Sequence, residues 1–91
     1  MSSAPTFTTI LGWCQKHNCQ QLEITNLEDG LIEVEIVHRA YQIVLHIDPN
    51  TSLTTLTLKK LVDGLDYSTI FVEEKISFEE CLKIIQEKVI L

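Results

Sequence analysis

The sequence predicts an α+β domain: an antiparallel meander of three to four strands, with an N-terminal and a C-terminal helix packed on one face. Three observations predict it. From Leu22 to Leu58, apolar and polar residues alternate with a period of two. At both ends of the chain the apolar residues recur at helical spacing instead. Turn-forming residues at Glu28-Asp29-Gly30 and Asp48-Pro49-Asn50 separate the alternating runs. The 91 residues suit one domain, 1–91, with a single modest core.

Pro5 stands where a first-turn proline belongs, because its missing N–H would have no helical partner there. Phe7, Ile10, Leu11 and Cys14 then fall at i, i+3, i+4 and i+7. Trp13 widens that stripe and Gly12 weakens the helix, which is expected from Pro5 to His17. Leu22 and Ile24 begin the alternation, and Gly30 can take positive φ in the turn that follows. Ile32, Val34 and Ile36 face one way, with Glu33 and Glu35 the other. Tyr41, Ile43, Leu45 and Ile47 repeat the pattern against Gln42, Val44 and His46. A fourth strand is expected where Thr54, Thr55 and Thr57 alternate with Leu56 and Leu58.

The stretch from Lys59 to Ile76 is too apolar for a loop. Leu58, Leu61, Val62 and Leu65 fit a short helical turn ending at Gly64, and Ile70 to Val72 a strand fragment or an irregular packed stretch. Ser77-Phe78-Glu79-Glu80 is a capping box. Phe78, Cys81, Leu82, Ile85 and Val89 form the stripe of a helix from Phe78 to Ile90.

Seven basic against thirteen acidic residues give a net charge of −6. That balance opposes a nucleic-acid partner, since phosphate binding draws on Lys and Arg. It favours a protein partner with a basic segment. Apolar runs of two to three residues cannot span a bilayer, so no membrane partner is expected. The first residues carry no basic region followed by an apolar one, hence no visible secretory leader. Three cysteines, an odd number, then read as reduced thiols of an intracellular protein.

Candidate chemistry is sparse. Cys14, His17 and Cys19 lie close in sequence, but a structural zinc wants a second ligand pair and none follows. Cys14 and Cys81 fall on apolar stripes, where a cysteine is ordinarily a small core residue. A nucleophilic thiol needs a stabilised thiolate; Cys14 near a helix C-terminus and Cys81 beside Glu79 and Glu80 are poorly placed for one. His38 and His46 are expected to alternate out of the core, with Asp48 near His46 and no nucleophile to activate. Glu33 and Glu35 on one strand face are an ordinary product of alternation. The glycines stand singly at 12, 30 and 64, so no phosphate loop exists. These residues supply no catalytic, cofactor or metal set, and what remains is a surface for another protein.

The order of these elements resembles a known family. A helix leads into QQLEITNLEDGLIEVEIV, then YQIVLHIDPNTSLTTLTL, then an apolar connection, then ISFEECLKIIQEKVI. This looks like the RWD-type domain that caps coiled coils in kinetochore proteins, and most like the globular end of the small subunits of the outer-kinetochore complex. The matching pieces are Leu22-Glu23-Ile24, Leu31 to Val37, Tyr41 to Asp48 and the capped helix Ser77 to Ile90. The likeness covers nearly the whole chain as pattern and element order, without a short diagnostic motif. No heptad pattern stands ahead of Pro5, where such a coiled coil would lie.

The resemblance implies a non-enzymatic docking module in a chromosome-segregation assembly at the kinetochore, in the nucleus. It would pair with a paralogous RWD-like subunit as a dimer or receive a basic peptide segment. Contact residues are expected at Trp13 and His17 on the first helix and at Glu33, Glu35 and His46 on the exposed sheet face. Two rivals stand beside this: a ubiquitin-conjugase-like adaptor in another intracellular pathway, cytoplasmic in place, and a small enzyme using Cys81 or Cys14.

Overall fold

Helix α1 spans Phe7–Lys16, and the chain then runs through β1 (Gln21–Asn26), β2 (Ile32–His38), β3 (Tyr41–Ile47), β4 (Leu53–Asp63) and β5 (Asp66–Ser77). It closes with α2 (Phe78–Ile85), continued by a turn of π-helix at Gln86–Ile90. The computed structural model describes residues 7–90, so the helix start expected at Pro5 lies outside the described residues. The five strands form one antiparallel meander in the order β1-β2-β3-β4-β5.

Alternation fixes which face of each strand is buried. Val34 and Ile36 of β2, Ile43, Leu45 and Ile47 of β3, and Leu56 and Leu58 of β4 share a core with Ile10 and Cys14 of α1 and with Cys81, Ile85 and Val89. The sheet residues in that set have one parity, so both helices cover the same face. Each fully buried Leu or Ile side chain contributes about 1.5–3 kcal/mol. Leu22, Ile24, Ile32 and Tyr41 pack at the margin of the core. Leu11, expected on the α1 stripe, is exposed.

Helix α1 ends in a Schellman motif. Asn18 takes φ 55°, the left-handed conformation for which asparagine is the usual substitute for glycine. The Cys19 N–H donates to the Cys14 carbonyl at 3.0 Å and the Asn18 N–H to the Gln15 carbonyl at 3.4 Å. At α2, Ser77 Oγ accepts the Glu80 N–H at 3.1 Å, as the capping box predicts. Ser77→Ala is therefore expected to lower thermal stability by about 1 kcal/mol, read from the unfolding midpoint.

Two expectations are corrected. The helical turn from Leu58 to Gly64 does not form: β4 runs on to Asp63, and Asp63 pairs with Asp66 across a two-residue hairpin of Gly64-Leu65. Gly64 has φ 55°, supplying the positive φ that a tight hairpin wants at its first central residue, not a helix stop. The stretch 66–77 is a full strand, so the sheet has five strands where the sequence predicts three to four. His38 is the second correction, since it is buried on the core side. It shares the parity of Val34 and Ile36, and its cross-strand partner is Tyr41.

The β4–β5 pairing shifts register between Thr54 and Leu56, between Leu58 and Lys59, and between Leu61 and Asp63. The first two shifts insert extra residues into edge strand β5, near Lys75 (φ 57°) and at Ile70. Such bulges break the straight row of edge N–H and C=O groups that another strand would need. Strand addition at this edge is thereby disfavoured, although Ile70 and Val72 are exposed.

Candidate functional site: the uncovered sheet face

The sheet face away from the helices is laid out in rows by the strand register. One row reads Glu23, Glu35, Val44, Thr57 and Val72; a second reads Thr25, Glu33, His46 and Thr55. Glu23 and Glu35 are directly opposite each other, a like-charged cross-strand pair that costs stability. Glu33 faces His46, with Glu33 Oε2 and His46 Nε2 2.9 Å apart. Gln42 Nε2 donates to Glu35 Oε1 at 3.4 Å. Three carboxylates thus crowd the β1–β2 half of the face.

Val44 is an apolar residue in the middle of this polar surface. It is only 7% exposed, yet it is absent from the core beneath, being walled in by its strand partners Glu35 and Thr57. With half-exposed Val72 in the same row, it gives the face a low apolar strip beside the acids.

At the end of the face where β3 turns into β4, a cleft of about 360 Å³ opens, walled by Leu31 and Leu53 and edged by His46, Asp48, Thr55 and Lys75. Local turns hold its rim: Asp48 Oδ1 accepts the Asn50 N–H at 2.9 Å and Thr51 Oγ1 accepts the Leu53 N–H at 3.2 Å. The bulge at Lys75 brings that residue to the cleft wall, opposite in charge to Glu23, Glu33 and Glu35.

The five expected contact residues divide between two surfaces. Glu33, Glu35 and His46 come together on the uncovered face. Trp13 on α1 and His17 just past its end lie over the other side of the sheet, their ring centroids 4.6 Å apart and the rings tilted by 48°. Trp13 is partly buried against the core, so much of its ring area supports the fold. Glu23, Val44, Val72 and Lys75 were missed. The register puts Glu23 beside Glu35, and only knowledge of the turn length sets that register.

A thiolate nucleophile at Cys81 or Cys14 is disfavoured at neutral pH. Burial, followed by the Glu80 charge, pushes the Cys81 thiol up to about 12. Burial, followed by the neighbouring Cys19, does the same to Cys14. Among the described residues no group of three or more His, Cys, Asp or Glu is placed to hold a metal ion, and no helix is long and apolar enough to cross a membrane.

Fold and surface together define an α+β domain with one sheet face covered by two helices and the other open and acidic. No family model, curated protein or solved structure matches this chain.

Proposed function

We propose that this domain is a non-catalytic protein-interaction module that docks a Lys/Arg-rich segment of a partner across its uncovered sheet face. The observation that carries this reading is the juxtaposition of Glu23, Glu33 and Glu35 with the apolar strip of Val44 and Val72. Like charges held opposite each other cost stability when free, and a cation laid between them relieves that cost. Small apolar anchors beside a charged rim are what a short segment needs to be held in place. The resemblance of element order to RWD-type domains supports an address in a kinetochore or other chromosome-segregation assembly; a ubiquitin-conjugase-like adaptor is the alternative address.

The test is binding of a fluorescent Lys/Arg-rich peptide by anisotropy, with a Glu/Asp-rich peptide as control. The triple variant Glu23→Gln, Glu33→Gln, Glu35→Gln is expected to weaken the basic peptide at least tenfold while keeping the unfolding midpoint level or raised. Affinity should also fall as salt rises. Equal binding by the triple variant would overturn the reading. Recovery of kinetochore or of ubiquitin-pathway proteins by affinity capture decides the address.

A further inference from the structure

The cap of α1 joins two cysteines in a way the docking surface does not use. Cys14 and Cys19 occupy the two positions of the Schellman motif whose side chains meet. The 3.0 Å bond from the Cys19 N–H to the Cys14 carbonyl ties their backbones directly. With ordinary covalent geometry, that bond caps the Cα–Cα separation at about 7 Å, and at less for any bent arrangement, which falls in the span of a disulfide. The thiols are close enough to perturb each other's ionisation, and both are free. A cleft of about 380 Å³, bounded by Leu11, Gln15, Asn18 and Gln20, opens onto both. Cys81, buried on α2, has no such opening.

We propose that Cys14 and Cys19 are a reversible redox pair whose disulfide locks the exit of α1 into β1. The oxidant is a small disulfide such as oxidised glutathione. The more accessible Cys19 loses its proton and attacks one glutathione sulfur, releasing the first glutathione thiolate and leaving a mixed disulfide. Cys14 then loses its proton and attacks the Cys19 sulfur, releasing the second glutathione. Two protein thiols are oxidised, one glutathione disulfide is reduced, and both protons leave with the two glutathione thiols. Burial pushes the Cys19 thiol above its ordinary pKa, and the neighbouring Cys14 offsets part of that rise. The pair is therefore slow at neutral pH and answers to sustained oxidation.

The experiment incubates the intact protein with oxidised glutathione from pH 7 to 9 and follows mass and thiol titre. Expected is the loss of two hydrogens without a retained glutathione, a fall from three titratable thiols to one in denaturant, and a peptide map linking Cys14 to Cys19. The rate should rise about tenfold per pH unit, following thiolate fraction, and dithiothreitol should restore all thiols. Cys14→Ser should stop at the Cys19–glutathione adduct, and Cys81→Ala should behave as the parent. A persistent glutathione adduct on the parent protein, a link involving Cys81, or no reaction at pH 9 would each overturn the proposal. None of these outcomes depends on whether the acidic face binds a peptide.

Discussion

Leu45→Ala is expected to lower the unfolding free energy by about 2–5 kcal/mol, and Val44→Ala, one residue earlier, by only about 1 kcal/mol. Both side chains are buried, Leu45 at 1% exposure and Val44 at 7%. They differ in what surrounds them. Leu45 points into the core between Val34 and Leu56, its partners on β2 and β4, under the two helices. Truncating it leaves a cavity that close-packed neighbours fill only in part. Val44 points to the uncovered face, where water enters the space left behind and no enclosed cavity forms. A domain of this size has a total stability on the order of 5–15 kcal/mol, so the larger loss removes a substantial share of it. Urea denaturation of the two variants at one pH, with slopes equal to the parent's, measures the difference. Equal losses would mean that the sheet is covered on both faces, and the docking surface would disappear with that finding.

The same alternation that makes this contrast testable is legible in the sequence itself. From Ile32 to Ile36 and from Tyr41 to Ile47 the period of two is clean, and every residue assigned to the covered side in these runs is buried or packs against the core. The N-cap at Ser77 is a local signal, and its serine half holds, with Ser77 Oγ accepting the Glu80 N–H. The sequence is ambiguous where two periods fit the same residues. Leu58, Leu61, Val62 and Leu65 satisfy a helical turn, yet Val62 is the extra residue of a register shift and Leu65 lies in the hairpin loop. Bulges erase the period of two, so β5 looked irregular although it is the longest strand, at 12 residues. A short run interrupted by an extra residue carries too little pattern to separate strand from turn.

The candidate site was half readable for a related reason. Glu33, Glu35 and His46 lie on two neighbouring strands joined by the two-residue turn Arg39-Ala40, and parity alone places them on one face. The Glu33–His46 pairing needs the register as well, which follows from that turn: His38 meets Tyr41, and counting outward brings Glu33 to His46. Arg39, at φ 56°, supplies the positive φ that such a turn requires. Lys75 and Val72 could not be placed from sequence, because their side depends on how many residues β5 inserts. Trp13 shows the opposite difficulty. A large aromatic residue beside a helical stripe can face either the core or a partner, and its partial burial against the core is a tertiary fact.

His38 carries the second large expectation: between pH 7 and pH 5 the protein should lose stability through this one imidazole, with a slope that stays below about 1.4 kcal/mol per pH unit, the limit for a single proton. The side chain is 5% exposed, and neither ring nitrogen has a hydrogen-bond partner among the described residues. Burial, then the charge of Arg39 and then that of His17, pushes its pKa below the ordinary value. The unfolded chain therefore takes up a proton first as pH falls through about 6.5. The folded chain follows only at lower pH. Stability from keeping His38 neutral is fully present above that unfolded value and declines below it, until the folded state protonates too. His38→Leu should abolish this component. At pH 7 the variant should match or exceed the parent by up to about 1 kcal/mol, because it removes two buried polar atoms without a partner among the described residues. Other groups titrate in the same window, so the quantity to read is the difference between variant and parent across the pH series, from urea midpoints. A difference that stays constant from pH 7 to pH 5 would show that His38 reaches solvent or a proton donor in solution, and its assignment to the covered side of β2 would be wrong.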